Sequence, residues 1–495
     1  MAVRIPRWTV IALVAMAVAA CATTHSGTKA RGSQSGGGGV NGLLSSSPSS
    51  TPAGGAVGAS AGAGGGGGGR SASGAGSGIS SAGGGPAGPV SGPGGVGAVV
   101  PGRTSGTISV GVATFTGTGQ VASAGLKSVP AVEGQQLYDA VIGYLNAHGG
   151  FGGRAVVPVY AKIPLVTAQP YSAIEQSACA TFTQDHHVFA VLADRPFFDG
   201  TLESCLTAKS VPFFNDYPSY YEQNFFTKYP LMSMPQGVIG ERVVRNWIPG
   251  LQRQGYFDKG SKVGLVVVDQ PSVTAVAKQV PAALAAIGLP LTAESTVVAS
   301  DGAGIANSVL RMRSAGVDHV LIMDSAPALT ILWPTQAQSQ SYYPRYGLNS
   351  YNTPSFAAAN VPSGTFRRAV GIGWWPDEDV DASSLPPPNA AGQLCLSIYK
   401  GANINVSDSI TQGLALWVCG IVLSFKAAAD HAPALSGPGI MAGLESLGTG
   451  WQSPITFGIN VGPGHHDGAS EYRAFGFADS CGCFRYLDSV LHPLQ

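Results

Sequence analysis

The sequence predicts an α/β fold of two doubly wound lobes, each built on a parallel β-sheet and joined to the other by crossing hinge segments. From Thr107 onward, short runs of β-branched residues alternate with helical patterns. These runs are continuously apolar, which is typical of parallel strands covered by helices on both faces. A strand–helix–strand unit spans 107–162, and the same plan begins again at Lys262. We therefore expect two lobes of similar construction.

Length and composition set the limits of the prediction. The chain has 495 residues, which is too long for one ordinary hydrophobic core. Its 27 basic and 27 acidic residues balance, which argues against a nucleic-acid partner. Charged residues make up only 11% of the chain, and many of its 70 glycines lie near the amino end. We expect a non-globular amino-terminal part followed by globular sequence.

Residues 1–21 have the pattern of an export signal. Arg4 and Arg7 precede an apolar stretch, 8–20, that is too short to span a bilayer with any margin. The stretch leads into Val18-Ala19-Ala20-Cys21, which resembles the bacterial lipobox. This resemblance implies that Cys21 is lipidated and that the protein is anchored to the outer face of the cytoplasmic membrane. A simple secretory signal that is cut nearby is the alternative.

Residues 22–103 are predicted to form a disordered tether. They are mostly Gly, Ser, Ala and Pro, with almost no large apolar side chains. Such a segment buries too little surface to offset the entropy lost on ordering. A flexible chain of about eighty residues has a root-mean-square reach of about 50 Å. That reach suits a tether that crosses the layer just outside a membrane.

The first lobe is predicted at 104–228. A glycine loop, 114–120, follows its first strand. The loop lies at the carboxyl end of that strand, where open α/β sheets hold ligands. The crossover to the second strand has the length that a right-handed parallel connection needs. The predicted strands are 108–113, 155–160, 188–192 and 211–214, and the predicted helices are 132–145, 171–185 and 198–209.

The second lobe is predicted at 229–362, with strands at 262–268, 291–299 and 317–323 and helices at 236–254, 273–287, 305–315 and 326–339. The chain is then expected to return to the first lobe at 363–454, through a strand at 369–375 and helices at 391–399 and 409–431. Residues 455–495 are expected to return to the second lobe as a β-meander of strands 455–459, 472–477 and 483–487.

Several stretches together resemble the type 1 periplasmic binding proteins of the branched-chain amino acid class, which are the solute receptors of ABC importers. They are Tyr144-Leu-Asn-Ala-His-Gly-Gly-Phe-Gly-Gly-Arg154, Ser177-Ala-Cys-Ala-Thr-Phe-Thr-Gln-Asp-His-His-Val-Phe-Ala-Val-Leu192 and Ala315-Gly-Val-Asp-His-Val-Leu-Ile-Met323. The resemblance spans 107–487 and rests on the order and spacing of the elements.

The resemblance implies two lobes, joined by three crossing segments, that close on a small molecule. It also implies an ABC permease as partner, a monomer, no enzymatic activity and no cofactor. Two positions depart from the family. Ala161-Lys162 stand where an acidic residue is often found, and the loop Asp269-Gln-Pro-Ser272 lacks the usual Tyr-Gly pair. These departures leave the class of ligand open.

Ligand contacts are expected from the loops at strand carboxyl ends. Thr116 and Arg195 offer a hydroxyl and a guanidinium to a ligand carboxylate. An ammonium group needs an acid, for which the aspartates at these ends are candidates, although each of them also has the chemistry to cap the following helix. The predicted ligand residues are Thr116, Thr118, Asp194, Arg195, Asp216 and Tyr217 in the first lobe and Asp269, Gln270, Asp324 and Ser325 in the second.

Six of the seven cysteines remain once Cys21 is set aside, and an even number outside the cytoplasm indicates disulfides. The family resemblance implies the pair Cys179–Cys205. Cys395 and Cys419 lie on successive predicted helices and could pair. Cys481 and Cys483 could close a tight loop or bridge to that helix pair, so the pairing of these last four stays open. A redox role for Cys481 and Cys483 and a zinc site are the less favoured alternatives.

The rival motif is Gly117-Thr-Gly119-Gln-Val-Ala122, which matches a dinucleotide-binding pattern. Such a site needs a helix that begins inside the motif, whereas residues 127–130 interrupt the chain before the predicted helix. The acidic residue that would hold the ribose is also missing, since the second strand leads to Lys162. We therefore predict no dinucleotide and no other cofactor.

Three further clusters have a structural and a functional interpretation. His186-His187 and His465-His466-Asp467 are interpreted as exposed polar loop residues rather than metal ligands. The eight aromatic residues within 213–229 are expected to form part of a cleft wall. Trp374 and Trp375 are interpreted as packing residues.

Three functions compete for this sequence. The favoured one is a membrane-anchored solute-binding protein that captures a small polar molecule, an amino acid or a related amide or carboxylate, for an ABC permease. A surface module that senses a ligand through a membrane partner is the alternative. A secreted hydrolase ranks third, because no Ser, His and acid set lies on suitable loops.

Overall fold

Two β-sheets organise the part of the chain that the computed structural model describes. The described residues are 103–104, 106–123, 126–127, 129–165, 167, 169–194, 200–217, 219–325 and 327–495. The predicted signal peptide, Cys21 and nearly all of the predicted tether lie outside them, as does Arg195. Within the described residues, each sheet has its own set of covering helices.

The first sheet has the strand order β3-β2-β4-β5-β6, and all four of these pairings are parallel. A short strand, β1, pairs antiparallel with the start of β2. The central strands are apolar and fully buried, so helices cover both faces, as the sequence predicts. The strands are β1 Arg103–Thr104, β2 Thr107–Thr116, β3 Ala155–Pro164, β4 Ala190–Ala193, β5 Phe213–Asn215 and β6 Met232–Ser233.

Helices from two separate parts of the chain cover this sheet. The helix Ser409–His431 packs against the helix Gly134–Ala147 and against β4 and β5, which places it in the core of the first lobe. Among the described residues it is the one helix long and apolar enough to cross a membrane, yet 72% of its most apolar window is buried in the molecule. The other helices of this lobe are Thr118–Ser123, Tyr171–Ala180 with a π-helical extension Thr181–Asp185, Thr201–Ala208, Gln223–Lys228, Ala390–Gly401 and Gly437–Glu445.

The second sheet has the order β8-β7-β9-β10-β11-β12-β13, with β14 beside β12. Pairing is parallel from β8 to β11 and antiparallel from β11 to β13. The expected terminal meander is therefore attached to the edge of a parallel sheet. The strands are β7 Val263–Val268, β8 Leu291–Val297, β9 His319–Met323, β10 Arg345–Asn349, β11 Val370–Gly373, β12 Glu471–Ala478, β13 Cys483–Tyr486 and β14 His492–Pro493.

The helices of the second lobe differ from the prediction in two places. The predicted helix 273–287 is divided into Pro271–Ala277 and Val280–Ala286, because Pro281 lacks the N–H that would continue the first helix. The helix Pro354–Asn360 is additional to the predicted set. The remaining helices are Gly240–Arg253, Gly302–Ser314, Pro327–Ser339 and the single turn Pro376–Asp379.

The chain crosses between the sheets three times, at 234–239, 380–389 and 446–470. The predicted return to the first lobe at 363 is wrong for β11, which pairs with β10 and β12 in the second sheet. An apolar strand sequence does not specify which sheet the strand joins. The predicted strand 455–459 is also absent. Ile459 forms only an isolated bridge with Ala469, because Pro454 and Gly458 flank this part of the third crossing.

Hydrogen bonds tie the three crossings to one another. The Met234 amide of the first crossing donates to the His466 carbonyl of the third at 2.7 Å. The Ser453 hydroxyl donates to Gln236 Oε1 at 2.7 Å, and Asn389 Nδ2 of the second crossing donates to the Ser453 carbonyl at 2.8 Å. The crossings therefore form one bonded hinge.

Three disulfides are present among the described residues. Cys179 is bonded to Cys205, as the family resemblance implies. Cys395 is bonded to Cys419, and Cys481 to Cys483, which gives one of the pairings left open by the sequence. The first two each join helices of the first lobe, over sequence separations of 26 and 24. In the chain-entropy account, closing a loop of this length stabilises the fold by about 3 kcal/mol.

Candidate functional site

The lip of the first lobe, by which we mean residues 117–123 and Lys127, follows the end of β2. Gly117 has a φ of +95°, a conformation that glycine adopts without strain, and it leads directly into the helix Thr118–Ser123. Glu133 Oε1 accepts hydrogen bonds from the Gly117 amide at 3.2 Å and from Thr118 Oγ1 at 3.1 Å. The predicted glycine loop is thus partly helical, and a carboxylate of the chain itself occupies its start.

Glu133 has a second oxygen that lacks a hydrogen-bond donor among the described residues. Glu133 Oε2 is buried and accepts no hydrogen bond from the described residues. The residue precedes the helix Gly134–Ala147, at the carboxyl edge of the first sheet. It does not follow a strand, so the expectation of ligand contacts at strand ends does not include it. An acidic residue immediately before a helix that follows Pro130 was the available signal.

Asp194 holds the ends of β2 and β4 together. Its Oδ2 accepts a hydrogen bond from Thr114 Oγ1 at 3.0 Å, and both side chains are buried. The first residue of the neighbouring helix, Gly134, packs against this pair. A Cβ atom at Gly134 would lie 2.0 Å from Thr114 Oγ1 and 3.0 Å from Asp194 Oδ2. This close approach requires glycine at position 134.

Asp216 is fully buried and is fixed to the first crossing. Its carboxylate accepts the Gln236 amide at 2.7 Å and Gln236 Nε2 at 3.0 Å. Burial raises the pKa of Asp216 to about 7, although the Gln236 hydrogen bonds act in the opposite direction. In this arrangement Asp216 positions the hinge.

Tyr217 and Trp417 form an aromatic wall beside Asp216. Tyr217 is half-buried, and its ring stacks on that of Trp417 with centroids 6.2 Å apart. The indole of Trp417 also packs against that of Trp375, at 4.8 Å. Trp417 Nε1 is buried and donates to no acceptor among the described residues. This wall combines a flat apolar surface with one N–H donor, Trp417 Nε1, that has no acceptor among the described residues. The apolar surface suits a ligand with an apolar part.

In the second lobe, Gln270 and Ser325 lie together at the ends of the adjacent strands β7 and β9. The Ser325 hydroxyl donates to Gln270 Oε1, and both residues are buried. Asp324 accepts the Thr330 amide at 2.9 Å and the Thr330 hydroxyl at 3.3 Å, so it caps the helix Pro327–Ser339. Asp269 is exposed at the end of β7.

Hydrogen bonds also join the lobes outside the crossings, at Asn349 and at Asn360 among other residues. Asn349, at the end of β10, donates from Nδ2 to the Tyr220 hydroxyl at 2.9 Å. Burial raises the pKa of Tyr220 above its usual range, and the charge of Asp324 adds to this effect. At the lip, the Asn360 side chain accepts the Lys127 amide at 2.9 Å and donates to the Lys127 carbonyl at 3.2 Å. The loop before Pro130 is therefore tied to the second lobe.

The aromatic residues of 213–229 do not form the expected cleft wall. Six of them are almost completely buried and belong to the core. Of this group, Tyr217 and Phe225 are half-buried. The high density of aromatic residues here reflects packing at the start of the first crossing. The buried six are Phe213, Phe214, Tyr220, Tyr221, Phe226 and Tyr229.

Residues 465–467 are predicted from the sequence to form an exposed loop. Instead, His466 and Asp467 are buried and belong to a network of hydrogen bonds and ion pairs. Asp467 forms an ion pair with Arg242, and both side chains are buried. His466 contacts the Met232 carbonyl through Nδ1 at 2.9 Å and Glu445 through Nε2 at 3.1 Å. Within the described ranges, no group of three or more His, Cys, Asp or Glu side chains is arranged to hold a metal ion.

The predicted residues that the structure describes thus fall into three groups. Thr118, Gln270 and Ser325 lie at strand ends next to other polar groups, and Tyr217 lies on the aromatic wall. Asp194, Asp216 and Asp324 are engaged by neighbouring donors of the chain itself. Thr116 and Asp269 lie at strand ends, half-buried and exposed respectively. The structure adds Glu133 and Trp417 to the predicted set.

Comparisons with known proteins bear on the fold. The chain matches no family model, and no curated protein matches it in sequence. Many solved structures match in three dimensions. A solute-binding protein of an ABC transporter from R. palustris, in complex with 4-hydroxybenzoate, has a TM-score of 0.59 at 11% identity, over 78% of this chain and 97% of that one.

Two more of these structures show the range of the group. A fatty acid ABC transporter substrate-binding protein from Thermomonospora curvata has a TM-score of 0.56 at 16% identity, over 78% of this chain and 93% of that one. A branched-chain amino acid ABC transporter protein from Thermus thermophilus with bound valine has a TM-score of 0.55 at 14% identity, over 78% and 96%. The chain therefore has the type 1 periplasmic-binding-protein fold, and the fold predicted from the sequence is confirmed.

Proposed function

We propose that this protein is an extracytoplasmic solute-binding protein that captures a small polar molecule between its two lobes and delivers it to an ABC permease. The observation that carries the proposal is the arrangement of the carboxyl ends of the two parallel sheets. Each end presents polar side chains, Thr118 and Glu133 in one lobe and Gln270 and Ser325 in the other. Ligands of open α/β sheets bind at such ends.

The hinge supports the same proposal. Three crossings that are hydrogen-bonded to one another give the lobes a common bending region, as capture between two lobes requires. The proteins with similar folds are transporter substrate-binding proteins, and their bound molecules include 4-hydroxybenzoate and valine. Their similarity also favours a role without catalysis.

The side chains of the cleft favour a ligand with an ammonium group and an apolar part. Glu133 Oε2 is a carboxylate oxygen without a hydrogen-bond donor among the described residues, and it suits an ammonium group. Tyr217 and Trp417 offer an aromatic surface. Thr118 and Gln270 supply neutral polar contacts, and Arg195 is proposed to hold a carboxylate. An amino acid or a related amide has all of these groups.

The proposed location is the outer face of the cytoplasmic membrane. Cys21 is proposed to carry the lipid, and residues 22–103 are proposed to serve as the tether. Each buried CH₂ of an acyl chain contributes about 0.8 kcal/mol, so a doubly or triply acylated cysteine anchors a domain durably. The proposed molecule is a monomer that contacts the permease and its solute.

A thermal-shift screen of amino acids and small carboxylates tests the function. A ligand that binds the folded protein stabilises it by about 2.7 kcal/mol at one hundred times its Kd. We expect at least one amino acid or related compound to raise the melting temperature in proportion to the logarithm of its concentration. Calorimetry then compares the wild type with Glu133→Gln and with Glu222→Gln, a matched change outside the cleft.

We expect Glu133→Gln to weaken the binding of a ligand with an ammonium group by about tenfold or more, because a charged hydrogen bond contributes about 1.5–3 kcal/mol. Glu222→Gln should leave the affinity unchanged. Turnover of a screened compound, or the absence of binding across the whole set, would contradict the proposal.

A further inference from the structure

A pocket lies beside the hinge, between the second and third crossings. Pro386–Pro388 of the second crossing form one side, and Pro454 and Phe457 of the third crossing form another. The helix Ser409–His431 contributes Gln412 and Leu416. Of the ligand residues predicted from the sequence, none that the structure describes lines this pocket. The hinge pocket has a volume of about 130 Å³ and opens to solvent.

The wall of the hinge pocket is rigid and combines apolar with polar surface in similar proportions. Each proline has a fixed φ, so little conformational entropy is lost when a ligand contacts the segment 386–388. Asn389 fixes the end of this segment, because its Nδ2 donates to the Ser453 carbonyl at 2.8 Å and its Oδ1 accepts the Gly392 amide at 2.9 Å. The pocket is therefore preformed.

Asp377 places a negative charge on this wall. Its Oδ1 is buried and accepts no hydrogen bond from the described residues, and Asp377 forms no ion pair among them. Arg473, a cation in the same region, instead lies over the ring of Phe457, with its guanidinium carbon 4.7 Å from the ring centroid. Burial raises the pKa of Asp377 to about 6, while Gln412 acts in the opposite direction, so the group is mostly ionised at neutral pH.

A buried ionised carboxylate without a full set of donors is unfavourable, and a cation beside it restores part of the lost solvation. A metal ion would need several oxygen ligands, and Asn389 is already committed to the chain. An organic ammonium ion needs one carboxylate and an apolar surface for its substituent. The hinge pocket offers that combination.

We propose that the hinge pocket binds a small organic ammonium ion with an apolar substituent, with Asp377 as its counter-ion and the proline segment 386–388 and Phe457 as its apolar contacts. This site is separate from the cleft at the strand ends and does not depend on the function proposed for that cleft. Since the pocket is lined by two crossings, its occupant contacts the hinge itself.

Benzylammonium chloride is the probe, and ligand-observed NMR titration at about neutral pH measures its affinity. Benzyl alcohol, a neutral molecule of similar shape, is the chemical control. We expect millimolar binding of benzylammonium and binding of benzyl alcohol that is weaker by about tenfold, because one charge-assisted hydrogen bond contributes about 1.5 kcal/mol or more.

Two variants assign the site. Asp377→Asn removes a charge that is unfavourable in the folded state, so we expect it to fold at least as stably as the wild type while its affinity for benzylammonium falls about tenfold. Glu294→Gln removes a carboxylate that is exposed on the edge strand β8 and should leave this affinity within about twofold of the wild type, since distant sites act independently.

Equal binding of benzylammonium and benzyl alcohol would overturn the proposal, as would wild-type affinity in Asp377→Asn. A loss of benzylammonium affinity in Glu133→Gln, but not in Asp377→Asn, would show that the probe binds in the cleft. That result would also overturn the proposal. No detectable binding of benzylammonium to the wild type would do the same.

Discussion

Carboxylates at the junction of the lobes make the stability of the folded protein depend on pH. Asp216 and Glu378 both have their pKa raised to about 7, with burial as the main cause in each. For Glu378, the charge of Asp377 adds to the effect of burial. A raised pKa means that the folded state holds the proton more tightly than the unfolded state does. The folded protein therefore gains stability from these groups in acid and loses it as the pH rises.

The change Glu378→Gln tests this at one residue. The stabilisation from Glu378 is fully present below its ordinary pKa of 4.5 and is lost as the pH rises through about 7. Between about pH 5 and about pH 8 we expect the wild type to lose about 2 kcal/mol of unfolding free energy that Glu378→Gln does not lose. Urea unfolding at both pH values measures the difference.

Glu294→Gln is the control for that experiment, since Glu294 is exposed on the edge strand β8. Its pH dependence should follow the wild type. If Glu378→Gln and Glu294→Gln both kept the wild-type slope, the buried carboxyl would not titrate as described.

At the level of helices and strands, the apolar runs were sufficient to predict most of the parallel strands. The pattern was weakest for β10, where Gly347 and a polar residue at each end hide a buried strand. The sheet to which β11 belongs could not be predicted, because parallel partners are set by packing between distant segments. In the site, Glu133 could not be selected from strand ends, since it precedes a helix and meets Gly117 only in the folded chain.

Two glycines of the same helix make a matched pair for testing how this element fits its sheet. A Cβ at Gly134 would collide with Thr114 Oγ1, whereas a Cβ at Gly143 meets nothing within 4 Å. We expect Gly134→Ala to destabilise the protein by about 2 kcal/mol through forced displacement of the helix start. Gly143→Ala should stabilise it by up to about 1 kcal/mol, because alanine is the better helix former.

Chemical denaturation of both glycine variants measures these changes. Equal effects from the two substitutions would show that the close approach of Gly134 to the Thr114–Asp194 pair does not constrain the helix. A loss of stability in Gly143→Ala alone would point to an unrecognised contact on the exposed face.

On the scale of the whole molecule, the lobes meet at the bonded hinge and again at the lip, where Asn360 and the Lys127 backbone exchange two hydrogen bonds. These bonds form only when the lobes are near each other. They involve exposed groups, so they contribute little to the unfolding free energy.

The change Asn360→Ala removes both bonds of the lip. We expect ligand dissociation to accelerate by about threefold to tenfold, which corresponds to about 1 kcal/mol, with the association rate nearly unchanged. Stopped-flow measurement of the protein's tryptophan fluorescence, with the ligand found in the screen, gives both rates. Thermal unfolding without ligand serves as the control. An unchanged dissociation rate would mean that the lip does not restrain opening.

The threefold passage of the backbone between the lobes also bears on damage to the chain. If a protease cuts one passage, the other two still connect the halves covalently, and the bonds of Asn389 and Ser453 hold the severed ends in place. A nicked molecule of this kind keeps its two halves in register. For the same reason, we expect a circular permutant to fold if its new termini lie in one of these crossings and its original termini are joined.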